Sequence, residues 1–174
     1  MNEATKLADV AGRSNFEIYR AKGTTPEIRL GVFLVLAGRR WRALIDEHLR
    51  PVGQSAARME ALAAIMNSPS VPSQIDIAKR LRIEGPTMTR MIDSLTADGL
   101  VERRPAPGDR RTKLLVLTAK GEAVLEQIFT IVDPLRDRLI AGLTPEQVDG
   151  VTQFFADIIG KLDRGLPEEA GDGA

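Results

Sequence analysis

The chain contains no cysteine. Disulfides, thiol redox sensing, cysteine nucleophiles and cysteine-based zinc sites are therefore excluded. It has one histidine, His48, too few for a His-rich metal site within one chain. Aromatic residues make up 4% of the sequence, and its apolar positions are mostly Leu, Ile, Val, Ala and Met. That balance favours helices over a β-sandwich. Long hydrophobic runs are also missing. Residues 1–20 carry no continuous apolar stretch of the kind a signal peptide needs, and the most apolar segment, residues 32–37, is far too short to span a bilayer. The expectation is a soluble cytoplasmic protein with no membrane partner. No glycine-rich phosphate loop follows a strand, and no nucleophile stands near a general base. We expect neither an enzyme nor a bound cofactor or metal.

Net charge is also lacking, with 24 basic residues against 24 acidic ones. The distribution is uneven, however. Residues 71–117 hold nine basic and six acidic side chains, whereas residues 140–174 hold two basic and seven acidic. A basic middle and an acidic end point to one surface for an anion and another for something else. With 174 residues, a core can form without metal or disulfide staples.

Residues 1–24 form a weakly patterned extension of unknown role. Thr25-Pro26-Glu27 then reads as a helix start, with a hydroxyl cap, proline in the first turn and a carboxylate behind it. This helix runs to about Leu49 and stops at Pro51-Val52-Gly53. Its segment from 31 to 37 is apolar nearly all round and needs burial on several sides, Val32 and Leu36 included, as between subunits. Ser55 caps a second helix. Ser73 caps a short third one ending near Leu81, and Pro86 opens a fourth that reaches Asp98, with Gly99 as its stop. Residues 100–103 and 113–117 read as two short strands around a long loop over 105–109, forming a hairpin with a basic tip. Thr118 caps a long fifth helix, in which Pro134 predicts a kink or a short break. Thr144 and Gln147 form a capping box for the last helix, whose stripe is Val148, Val151, Phe155, Ile158 and Leu162. That stripe is too long to leave exposed and is expected to join subunits. The segment 164–174 is acidic and Gly-rich and reads as a disordered tail. The fold class is mainly α: six helices and a β-hairpin wing in the order of a winged helix-turn-helix, with a helical dimerisation arm. Residues 55–117 form the winged part, and 25–54 together with 118–163 form the arm.

On the fourth helix, Met88, Met91, Ile92 and Leu95 share one face at 100° per residue. Pro86, Thr89, Arg90 and Asp93 fall opposite, with Thr87 and Ser94 on the flank. Arg can bond guanine O6 and N7 together, and Thr can reach bases or phosphates. The first amides of the third and fourth helices, starting at Ser73 and Pro86, suit phosphate binding. Taken alone, this is equally an ordinary amphipathic surface helix. The hairpin tip tips the balance: Arg103, Arg104, Arg110, Arg111 and Lys113 stand there with one acid, Asp109. An Arg on such a tip can enter the minor groove. Asp109 is expected to pair with Arg111 and fix its guanidinium beforehand. The rival reading is a winged helix used for protein contact or dimerisation without DNA. Near Trp41, the only tryptophan, the sequence is rich in Arg. Trp41, Arg42, His48 and Met59 are candidates to hold a benzoate-like anion, while core packing explains Trp41 as well.

The run "DGLVERRPAPGDRRTKLLVLTAKG" (residues 98–121) resembles the wing of the MarR family. The carrying features are the Asp-Gly-Leu-Val helix exit, Asp109-Arg110-Arg111 and the Leu-Thr-x-x-Gly entry to the next helix. Upstream, "RRWRALIDEHLRP" and "IEGPTMTRMIDSLTADGL" are similar to the SlyA-type branch of that family. The resemblance spans roughly residues 27–163. It implies an obligate homodimer joined by the first and last two helices, acting as a repressor or anti-repressor of transcription on a near-palindromic double-stranded DNA site. It further implies that the fourth helix enters the major groove and Arg111 the minor groove. A small aromatic or phenolic anion, bound between arm and DNA-binding lobe, would change affinity for DNA.

Overall fold

The structure is a computed structural model that describes residues 15–21 and 23–165; the side chains of Asn15, Arg110 and Arg111 also lie outside the described set. The apolar positions Leu7 and Val10 and the expected tail beyond Gly165 fall outside it as well. Seven α-helices and one two-stranded antiparallel sheet are present among the described residues. They are α1 (Asn15–Arg20), α2 (Pro26–Leu49), α3 (Ala56–Met66), α4 (Gln74–Leu81), α5 (Gly85–Ala97), β1 (Val101–Ala106), β2 (Asp109–Leu117), α6 (Ala119–Ile140) and α7 (Pro145–Arg164). The chain divides into two compact units, residues 1–129 and 130–174.

Helix α1 adds one element to the six expected. It buries Ile18 and leaves Phe16 and Tyr19 exposed, too little apolar surface in six residues to stand out as a periodic stripe. The boundaries of α2 fall where proline and the Thr25 hydroxyl place them. Thr25 Oγ1 accepts from Ile28 N at 3.3 Å, and the helix gives way after Leu49 to a 3₁₀ turn closed by Gly53 in the left-handed region. Asp46, one turn before the end of α2, accepts from Ala56 N at 2.7 Å and so caps α3 as well. In unit 1 the core is built from Ile45 and Leu49 of α2, Leu62 and Ile65 of α3, Ile77 of α4, and Met88, Ile92 and Leu95 of α5. Leu100, Val101 and Leu115 carry it beneath the sheet. Each such side chain contributes about 1.5–3 kcal/mol on burial.

The hairpin is longer and tighter than expected. Its strands pair from Val101↔Leu117 to Ala106↔Asp109, so the loop expected over 105–109 contracts to Pro107 and Gly108. Gly108 takes φ +78° behind a proline, the pattern of a type II turn. Pro105 is tolerated because β1 is an edge strand. The second neighbour of β2 is instead the start of α4. Leu115 N donates to Pro72 O at 2.8 Å, and Ser73 forms a bridge with Leu114.

The base of the hairpin is closed by the Leu-Thr-x-x-Gly segment. Thr118 N donates to Leu100 O at 3.1 Å, its Oγ1 donates to Gly99 O at 2.7 Å, and Gly121 N donates to that same Oγ1 at 3.0 Å. A Cβ on Gly121 would fall far inside van der Waals contact distance of Leu100 O, a backbone atom. Lys120 adds a bond from Nζ to Asp98 O at 2.8 Å.

Within residues 130–174, α6 continues through Pro134 without the expected break. Proline removes one amide from the ladder, and the buried Val132 and Leu135 keep the apolar stripe in register across it. Helix α7 begins with the expected capping box, Thr144 Oγ1 accepting from Gln147 N at 3.3 Å and Gln147 Oε1 from Thr144 N at 2.9 Å. It remains helical to Arg164, the first residue of the segment expected to be disordered. No helix among the described residues is long and apolar enough to cross a membrane.

Gly121→Ala is expected to destabilise unit 1 by about 3 kcal/mol, since the clash is with backbone and no rotamer relieves it. Urea denaturation followed by circular dichroism reads the loss; a shift below about 1 kcal/mol would show that the junction yields.

Candidate nucleic-acid interface

Helix α5 presents the expected exposed face. Met88, Ile92 and Leu95 are buried and Met91 half-buried, while Pro86, Thr87, Thr89, Arg90, Asp93 and Ser94 are exposed. The amphipathic spacing sets this rotation, because the three buried side chains seal against the core of unit 1. Arg90 is exposed and has no hydrogen-bond or ion-pair partner among the described residues.

Two side chains not singled out in the sequence, Arg58 and Gln74, hold α5 in place. Arg58 of α3 is half-buried and bonded through each of its three nitrogens: Nε donates to Gln54 Oε1 at 2.9 Å, Nη1 to Ser94 Oγ at 2.9 Å and Nη2 to Asp98 Oδ2 at 2.6 Å. Gln74, at the start of α4, donates from Nε2 to Thr89 Oγ1 at 2.8 Å. Thr89 passes its own hydrogen to Gly85 O at 3.0 Å. Asp93 receives Arg103 Nη2 of β1 at 2.6 Å, and that nitrogen also approaches Gln74 Oε1 at 3.5 Å. Two helices and the wing are thereby joined through one guanidinium. Apart from the bonds of Arg58 to Gln54 and of Thr89 to Gly85, these link residues 10 to 40 positions apart, so no local spacing signals them.

Ser73 lies at the junction of α4 and β2. Its Oγ accepts from Asp76 N at 3.3 Å and donates to Asp76 Oδ2 at 2.7 Å, while Ser73 N donates to that carboxylate at 2.8 Å. The backbone bond, and after it the Ser73 hydroxyl, holds the Asp76 carboxyl below the usual aspartate value. Along the wing, Arg104 pairs with Glu102 at 2.9 Å, both exposed on one face of β1. Asp109 accepts from Thr112 Oγ1 at 2.7 Å. The Asp109–Arg111 pair expected from sequence involves a side chain outside the described residues, as does Arg110.

The second candidate cluster sits where α2 meets α3. Trp41 and Met59 are half-buried. Arg42 Nη1 pairs with Glu60 Oε2 at 3.1 Å. Burial raises the Glu60 carboxyl; Arg42 counters this and Asp46 adds to it. His48 is exposed, with Nδ1 at 2.9 Å from Leu44 O, and so turned toward its own helix. No group of three or more His, Asp or Glu side chains suited to a metal ion occurs among the described residues.

Ser73→Ala is expected to cost about 1 kcal/mol at neutral pH through the lost cap. Asp76 has a folded pKa below its unfolded one. Its contribution is therefore present above the ordinary value of 3.8 and lost as pH falls through the lowered value. The gap between wild type and Ser73→Ala in denaturant midpoint should accordingly narrow in acid; a gap that widens would show that the box is not what Asp76 stabilises.

Residues 53–112 match the model of the MarR family, a span from the α2–α3 turn to the wing. Among solved structures, the transcriptional regulator PA3341 is 31% identical with a TM-score of 0.71, the match covering 78% of this chain and 99% of that one. A mutant of MarR from E. coli, crystallised in complex with operator DNA, is 29% identical with a TM-score of 0.67, covering 76% and 94% of the two chains. CouR from Rhodococcus jostii RHA1, bound to p-coumaroyl-CoA, shares the fold at 22% identity and a TM-score of 0.67, covering 80% and 95%. MarR from E. coli in its reduced form is 30% identical with a TM-score of 0.64, the match covering 75% of this chain and 96% of that one. With this likeness over the whole winged helix-turn-helix, the chain belongs to the MarR family.

Proposed function

We propose that this protein is a transcription regulator that binds double-stranded DNA sequence-specifically as a homodimer, with α5 in the major groove and the wing beside it in the minor groove. The observation that carries this reading is the exposed face of α5, where Arg90 and short hydroxyls stand beside a basic wing anchored to the same helix by Arg103 and Asp93. Pro86, Thr87, Thr89 and Arg90 meet bases and phosphates. Arg104, Arg110 and Arg111 supply the wing's charge, and Arg103 contributes through its bond to Asp93. Ser73 and Asp109 shape the backbone from which these side chains project. The likeness to a MarR protein crystallised on operator DNA supports the reading.

Exposed apolar surface in each unit supports the dimer. Val32, Phe33, Val35 and Leu36 are exposed on α2, Phe33 by 61%. Val151, Phe155 and Leu162 are exposed on α7, while Val148 and Ile158 are half-buried. Two copies related by a two-fold axis bury such faces and require a near-palindromic site. We assign residues 25–54 and 118–163 to this dimerisation arm and 55–117 to DNA binding, place the chain in the SlyA-type branch on its α2 and α5 sequences, and put it in the cytoplasm as a repressor or anti-repressor. Trp41, Arg42, His48 and Met59 are proposed to hold a small aromatic or phenolic anion, which would compete with Glu60 for Arg42.

Selection of bound duplexes from a random pool should enrich a near-palindrome with strongly salt-dependent affinity. Weak, salt-insensitive binding without enrichment would favour a protein-contact role for the winged helix. On the enriched site, Arg111→Ala should lower the slope of log affinity against log salt by about one phosphate contact. Arg90→Ala should instead relax choice at one base pair per half-site, by about 1–3 kcal/mol. An unaltered consensus would remove Arg90 as a base reader.

Phe155→Glu should yield monomers or insoluble chain in size-exclusion chromatography with light scattering. A well-folded dimer carrying that change would put the interface elsewhere.

A further inference from the structure

Thr89 stands on the exposed face of α5, and its hydroxyl is committed twice. Oγ1 donates to Gly85 O of its own helix at 3.0 Å and accepts from Gln74 Nε2 of α4 at 2.8 Å. A hydroxyl carries one hydrogen, and with that hydrogen on Gly85 none remains for a base or a phosphate. Gln74 is itself restrained, since its Oε1 faces Arg103, which is bound to Asp93. Turning the hydroxyl outward would break two hydrogen bonds at once, each worth roughly 1 kcal/mol. The part of the side chain that no hydrogen bond engages is the Cγ2 methyl.

We propose that Thr89 determines specificity by apolar contact between this methyl and the C5-methyl of a thymine, with Gln74 as the positioning residue that keeps the hydroxyl turned away. The proposal rests on the DNA-binding reading above. Thymine alone among the bases presents a methyl in the major groove. A Thr reading through its hydroxyl as donor could bond guanine O6 or N7, adenine N7 or thymine O4. One reading through its spare lone pair would prefer the amino group of adenine or cytosine. Neither hydroxyl mode uses the C5-methyl, so removal of that methyl alone separates them from the apolar contact.

The experiment begins with the duplex that the full-length wild type enriches. Its thymines are replaced one at a time by deoxyuridine, which removes only the C5-methyl. One position per half-site should lose about fourfold in affinity, equivalent to about 0.8 kcal/mol for one methyl group withdrawn from contact. The readout is the thymine-to-deoxyuridine ratio at that position, not absolute affinity. Thr89→Val should keep the ratio, having a methyl on either branch, and Thr89→Ser should bring it to about one. Gln74→Ala should lower it, and adding Thr89→Val to Gln74→Ala should restore it; a purely structural role for Gln74 would not give that rescue. A ratio that persists in Thr89→Ser, or a half-site with no sensitive thymine, overturns the proposal. A wild type that enriches no duplex overturns the DNA-binding reading itself, a different and separately visible failure.

Discussion

Unit 1 depends on the close approach of two backbones at the foot of the wing. Leu100 leads from α5 into β1, and eighteen residues later, at Thr118, the chain returns to the same place. The carbonyl of Leu100 receives Thr118 N, and Gly121 lies so near that oxygen that no side chain fits between them. Both ends of the hairpin are thus fixed against the core before any contact at its tip is considered. Steric exclusion sets this constraint, and the hydrogen bonds of Thr118 to Gly99 and Gly121 follow from it. With its foot held there and its middle held by Arg103 on Asp93, the wing is fixed beside the exposed face of α5.

Much of this was legible in sequence because it is encoded locally. Caps at Thr25, Ser55, Ser73 and Thr144 sit within three residues of the amides they satisfy, and each helix began where its cap lies. The rotation of α5 followed from the spacing of Met88, Ile92 and Leu95. The hairpin was read too short because Pro105 and Pro107 both look like loop residues. Pro105 is in fact an edge-strand residue, because β1 pairs with β2 alone. At Pro134 the helix continues without the short break, since a long helix absorbs the loss of one amide. The α5 clamp of Arg58, the Gln74–Thr89 bond and the Arg103–Asp93 pair were all invisible, because each joins elements that only the tertiary fold brings together. The Leu-Thr-x-x-Gly motif was recognised as a pattern, but its reason became plain only with the Leu100 carbonyl beside Gly121.

The two apolar surfaces contrast with this well-satisfied unit. No buried polar side-chain atom lacks a partner among the described residues. Phe33 and Val35 on α2, and Phe154 and Ile159 on α7, nevertheless stand in the open. Phe154 and Phe155 meet edge to face, with centroids 5.8 Å apart, a favourable arrangement of the two rings.

The Arg103–Asp93 bond also bears on how the surface would count ions. A guanidinium held by a carboxylate at 2.6 Å has exchanged its diffuse anions for a fixed one before any polyanion arrives. Arg104 is similarly matched by Glu102. Such residues add rigidity and shape to the basic surface, and in the proposed complex they would displace fewer ions from a duplex than unpaired arginines, so the thermodynamic charge of the wing is smaller than its formal count of arginines.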